Sequence, residues 1–159
     1  MTEVFCPRTV ADVRAMIGTE IGPTEWHEVT QDAIDRFADV TGDHQWIHVD
    51  PQRAARGPFG TTIAHGLYSL SLAPAMSAAL MAHSGFAHSL NYGYNKIRFP
   101  APVPVGSHLR LRLTIVSVDD VSSGSIQICS SQAMEREGSD KPVLVAEALS
   151  RAILREESL

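Results

Sequence analysis

Four titratable side chains, Asp43, His44, His48 and Asp50, fall within eight residues, on a segment that starts after Thr41-Gly42 and ends at Asp50-Pro51. A carboxylate and an imidazole five positions apart, as in Asp43 and His48, make an acid/base pair if the chain between them is held still. Gly and Pro at the two ends supply that punctuation. The same residue types in a solvated loop do no more than cap neighbouring helices, and short motifs alone produce many false positives. His44 and His48 are also i and i+4, the spacing at which two imidazoles take zinc from one helical face. Gln45 stands where that pattern needs a Glu base, and Gly42 opposes a helix continuing through the segment. The sequence therefore predicts no metal site.

The elements on either side must do the positioning. Thr30 is a good N-cap, and Asp32 lies in the first turn, where the helix dipole favours negative charge. Ile34, Phe37, Ala38 and Thr41 then fall on one helical face, and Gly42 is a suitable stop because it reaches positive φ cheaply. Asp43 is thus expected at a sharp turn beside a packed helix. Pro51 predicts a short helix through Ala55. Upstream, Thr9 and Asp12 have the form of a capping box for a first helix ending at Gly18, and Ile21–Val29 reads as a short strand.

Downstream, the Gly-rich connection Arg56–Thr62 runs into a long apolar helix expected over about residues 66–82. Ile63–Ala82 has the length of a membrane span. It also holds His65, Gly66, three serines and Pro74, and nearly half of it is Ala or Ser. Such a helix reads better as one buried within a water-soluble fold. Pro74 implies either a bend or a first-turn position after a break. Four strand-length runs follow: Ser89–Phe99, Leu109–Val118, Ser125–Glu135 and Val143–Leu154. Alternation is clear in Leu109–Ile115, and short turns between the runs suggest an antiparallel meander. The expected class is α+β, a sheet wrapped around one central helix, with edge-to-edge dimerisation as one way to cover exposed strand edges.

A chain of 159 residues with 44% apolar and 19% charged residues suits one globular domain over residues 1–159. A net charge of −5 without a Lys/Arg cluster argues against nucleic acid as the main partner. Cys6 and Cys129 have no metal-ligand spacing and suggest no disulfide scaffold. Glu3 and Arg8 enclose no apolar run, so the expectation is a cytoplasmic protein without a secretory signal or membrane association.

Gly42-Asp43, His48, Ala54, Gly57-Pro-Phe-Gly60 and Ile63-Ala-His-Gly66, followed by Asn95-Lys-Ile-Arg-Phe99-Pro and Pro104-Val-Gly106, together resemble the MaoC-like, R-specific enoyl-CoA hydratases. The resemblance runs from about Trp26 to the C-terminus. It implies a single hot dog fold, assembled as a homodimer, acting without a cofactor on enoyl-CoA or an enoyl-acyl-carrier-protein. It also implies that Asp43 and His48 share a water that adds to C3 of a trans-2-enoyl thioester, giving the (R)-3-hydroxyacyl thioester. The backbone N–H of Gly66, at the positive end of the central helix, would then hold the enolate oxygen. Gln45, Trp46, Phe59, His65 and Asn95 are implied as substrate-side residues, although His65 also suits simple packing at the helix start. The family's usual Gly-Asp-x-Asn-Pro-x-His is altered here, with Gln45 and Trp46 in place of Asn and Pro.

Competing functions make different demands. A hot-dog acyl-thioester hydrolase usually aims water at C1 with a carboxylate on the central helix, and residues 66–82 contain no Asp or Glu. A non-catalytic acyl-binding or partner subunit is expected to lose the Asp/His pair, and both residues are present. Ser69 and Ser71 lack a nucleophile-elbow context and read as packing residues. Lys96, Arg98, Arg110 and Arg112 fit a solvated strand face, with contact to CoA phosphates as the alternative.

Overall fold

Caps and turns decide where the elements begin. The computed structural model describes residues 4–82 and 85–155; Glu3 and both ends of the expected 1–159 domain lie outside them. Thr9 opens α1 (Val10–Ala15) with a full capping box: its hydroxyl accepts from the Asp12 N–H, and the Asp12 carboxylate accepts from the Thr9 N–H. Thr30 opens α2 (Gln31–Thr41), and Gly42, at φ 77°, closes it in the left-handed region. Two single-turn helices follow, α3 (Trp46–Val49) and α4 (Pro51–Ala54), then the long α5 (Gly66–Leu80). Helix α5 stops two residues short of the expected end and runs unbroken through Pro74.

The four long strands are β3 (Phe86–Arg98), β4 (His108–Ser122), β5 (Ser125–Arg136) and β6 (Leu144–Leu154). The single strand expected over Ile21–Val29 is instead two short ones, β1 (Glu20–Ile21) and β2 (His27–Glu28), separated by a cis Gly22-Pro23 bond. Proline has no N–H for a ladder, so pairing cannot run through. Both short strands pair with β4.

All pairings among these strands are antiparallel, in the order β1-β4-β5-β6-β3. The expected meander holds only for β4-β5-β6. Strand β3 pairs with β6, not with its neighbour in sequence. The connection between β3 and β4 carries Pro100, Pro102 and Pro104, which have no ladder donors. That connection docks on the start of α5 instead: the Ala64 N–H donates to Val103 C=O at 2.8 Å, and the Val105 N–H to Thr62 C=O at 3.0 Å.

One face of the sheet covers α5. Tyr68, Ala73 and Met76 pack with Leu109, Leu111, Met134 and Leu144 at one end, and α2 adds Ile34. Leu80 packs with Val13, Leu113, Ile115, Phe86 and Ile128 at the other. On the opposite sheet face Arg110 and Arg112 both bond to Glu135, at 2.7 and 2.9 Å, and Arg112 also reaches Glu20 at 2.7 Å. Burial raises the Glu135 pKa, but the two guanidinium bonds outweigh it and hold the carboxyl below its usual range. These arginines are therefore ion-paired and not simply solvated.

Helix α5 is less enclosed than its composition implies. Leu67, Ser71, Pro74, Ala75 and Ala78 form an exposed, largely apolar stripe along it. Among the described residues no helix is long and apolar enough to cross a membrane. A sheet curled around one long helix is the hot dog fold.

Candidate active site

The site is built where three connections converge: the turn after α2, the short α3, and the start of α5. Asp43 directly follows the left-handed Gly42, so a rigid helix end fixes its Cα while its side chain stays 57% exposed. His48 is carried on α3 and is 7% exposed. Its Nδ1 lies 2.6 Å from the Ile63 carbonyl oxygen. A carbonyl can only accept, so Nδ1 carries the hydrogen and Nε2 presents a bare lone pair. Burial pushes the His48 pKa below the usual imidazole range; the nearby His65 ring adds in the same direction, while the Ile63 bond and Asp43 oppose it. A neutral imidazole with an open lone pair is the form that can take a proton from water.

A residue without any sequence signal braces α3. Gln31, at the start of α2, donates through Nε2 to the His48 carbonyl at 2.8 Å and accepts through Oε1 from the Thr62 hydroxyl. One amide thus joins α2, α3 and the strand-like approach to α5. An ordinary polar residue in a helix's first turn gives no hint of such a bridge.

His65 immediately precedes α5 and is 4% exposed. Its ring stacks on His48, with centroids 3.8 Å apart and 25° between planes. Asp43, His48 and His65 each offer one ligand-type atom, all within 4.8 Å of one another. Ligands ~2.1 Å from a tetrahedral zinc ion lie about 3.4 Å apart, so this set is wider than a preformed zinc site. Two of its ring nitrogens are also committed to carbonyl oxygens. His44 is not part of the group: it bonds Asp39 at 2.9 Å, which raises its pKa, and it precedes α3 instead of sharing its face.

Beside the cluster lies a cavity of about 330 Å³ whose walls include His48, Phe59, Gly66, Ser69, Phe99 and Val143. Gly66 is the first residue of α5, where N–H groups have no partner within the helix. A Cβ there would come within 2.8 Å of the Phe99 ring, so the close approach of ring to backbone requires glycine. Ser69 is buried, with no bond to its hydroxyl among the described residues, whereas Ser71 only returns a bond to Leu67 C=O.

The remaining expected residues sit elsewhere in the single chain. Gln45 is exposed at the start of α3 and gives no side-chain cap. Trp46 lies under the Arg53 guanidinium, 4.5 Å from its ring centroid, and against Gly57, where a Cβ would be 2.9 Å from the indole. The bulky departure from the family motif is therefore accommodated by packing within α3, α4 and the turn that follows. Asn95, on β3, bonds Glu147 on β6. None of these three lines the cavity beside His48.

Residues 12–135 match the family described as MaoC like domain. The 3-hydroxyacyl-thioester dehydratase Z of Mycobacterium tuberculosis (strain ATCC 25618 / H37Rv) is 50% identical over 145 residues, covering 91% of this chain and 96% of that protein. Nodulation protein N of Rhizobium leguminosarum bv. viciae is 41% identical over 140 residues, 87% of each chain. The unliganded R-hydratase of Pseudomonas aeruginosa superposes with a TM-score of 0.69 at 24% identity, over 87% of this chain and 83% of that one, a likeness of fold. With more than half its length under the family model and a half-identical relative across nearly all of it, the chain belongs to the MaoC-like dehydratase domain family.

Proposed function

We propose that this hydro-lyase reversibly hydrates trans-2-enoyl thioesters to (R)-3-hydroxyacyl thioesters, on CoA or an acyl carrier protein. The observation that carries the reading is that Asp43 and His48 bring ligand-type atoms within 4.8 Å of each other, with His48, its Nδ1 held by Ile63, on the wall of a cavity that reaches the start of α5. In the hydration direction Asp43 and His48 hold one water. His48 takes a proton from it as its oxygen bonds to C3, and the negative charge moves to the thioester oxygen. The Gly66 N–H stabilises that oxygen, helped by the dipole of a 15-residue helix. A proton then returns to C2 from the same pair, so the net change is addition of one water. Positioned proton transfer of this kind contributes ~10²–10⁴-fold. The name of the half-identical relative, a 3-hydroxyacyl-thioester dehydratase, supports the same chemistry in reverse.

A thioesterase is disfavoured because α5 carries no carboxylate to aim water at C1. The working unit in this reading is a homodimer. Strand β3 is a 13-residue sheet edge, and α5 leaves Leu67 59% exposed at the head of an apolar stripe. Both features suit a second copy. The test is loss of enoyl absorbance from crotonyl-CoA with purified protein, with the product resolved by chiral chromatography. Formation of the R alcohol supports the reading; release of free CoA without hydration, or an S product, would sink it.

A further inference from the structure

His65 stands where Ser, Thr, Asp or Asn commonly starts a helix, yet its side chain makes no capping bond to the first turn of α5. The ring is turned toward the dyad instead. Its Nε2 lies 2.9 Å from the Asp43 carbonyl oxygen, so Nε2 carries the hydrogen and donates it. One side of the ring stacks on His48, and Phe37 packs against it at 5.0 Å, tilted by 52°. Nδ1 is buried without a hydrogen-bond partner among the described residues, so this ring is spent on orientation, not on a relay.

The Asp43 turn needs such a hold. Its local bonds are long: the Asp43 N–H to the Thr41 hydroxyl at 3.5 Å, and the Gln45 N–H to the Asp43 carboxylate at 3.4 Å. The short bond that joins the Asp43 peptide to α5 comes from His65. We propose that His65 is a positioning residue: its Nε2–H fixes the Asp43 peptide and its ring face fixes the plane of His48, without contact to the reacting atoms. This rests on the Asp43–His48 hydration reading and gives one side chain two separable tasks.

The titratable groups facing His48 are Asp43, from the turn after α2, and His65, from the start of α5. Helix α2 itself offers the neutral Gln31 amide to the His48 carbonyl, with Asp35 bonded beyond it, and α4 offers Arg53, which stacks on Trp46.

Two variants separate the tasks. His65→Gln keeps an N–H near the Nε2 position and removes the ring; His65→Phe keeps the ring face and removes the donor. With crotonyl-CoA, His65→Phe should lower kcat by about 10-fold or more with little change in KM, because a misplaced catalytic group costs rate more than binding. His65→Gln should recover part of that kcat, with folding checked by circular dichroism. Asp43→Asn runs alongside. If it is inactive while both folded His65 variants keep wild-type kcat and KM, the positioning role is overturned and the hydration reading stands. If Asp43→Asn is fully active, that reading falls and takes the positioning role with it. Should His65→Phe not fold, His65→Gln decides alone: wild-type kcat and KM overturn the proposal, and a kcat several-fold lower at unchanged KM supports it.

Discussion

In the proposed reaction Asp43 and His48 address one water from supports of unequal stiffness. His48 is buried and bonded at 2.6 Å to a carbonyl, whereas Asp43 is more than half exposed on a turn. Removing either leaves the water held from one side, so each loss should be nearly complete. His48→Ala and Asp43→Asn are each expected to lower kcat by about 10²-fold or more. The double variant should be scarcely worse than either single one, since groups that act as a unit are non-additive. Steady-state hydration of crotonyl-CoA by the three variants checks this, and losses that simply multiply would rule out a shared water. The pair itself was legible in the sequence, because Gly42, Asp43, His48 and Pro51 are close neighbours whose spacing is visible in the chain. The role of His65 was not. Its partner is the Asp43 carbonyl, and a backbone acceptor leaves no residue type to recognise.

Helices α2 and α5 show how far local chemistry carries. The start and stop of α2 depend on Thr30 and Gly42, both within the element's own turns, and the sequence names both. That α5 would be buried could be inferred from its residues, but its exposed stripe could not, because which side meets the sheet depends on strands far along the chain. In the proposed reaction Gly66 links this element to chemistry, and its backbone admits a test. Proline is tolerated at the first helical position, where it removes only an N–H that the helix does not use. Gly66→Ala adds a Cβ against Phe99 but keeps the N–H; Gly66→Pro adds the same Cβ with the rest of its ring and removes the N–H. The proposed oxyanion contact predicts that the proline variant falls a further 10²-fold or so below the alanine variant in kcat, with helicity unchanged. Equal activities in the two variants would remove Gly66 from the reaction.

Across the whole molecule, the apolar stripe of α5 and the edge of β3 are the surfaces that the proposed homodimer would cover. Ala78 lies on that stripe and faces a second cavity of about 320 Å³ between α5 and the sheet. In the proposed homodimer an Ala78→Glu change would bury a charge between copies, which an unpaired carboxylate cannot tolerate. Light scattering should then report monomer where the parent chain gives dimer; a monomeric parent at working concentration would contradict the assembly outright.

The proline-rich detour between β3 and β4 also has a consequence in time. Strands β4, β5 and β6 are joined by short turns, so their pairing needs little loop closure. Strand β3 meets only β6, with Phe86 opposite Leu154, and must wait until nearly all of the intervening chain has been organised. Ordering an element across so long a separation is slow. In the finished fold β3 also has a ladder on one side alone, whereas β5 is paired on both. Pulsed hydrogen exchange during refolding should therefore protect β5 amides before those of β3. At equilibrium in the monomeric Ala78→Glu variant, β3 should open more readily than β5. If β3 gained protection first, the order of assembly inferred from this topology would be wrong.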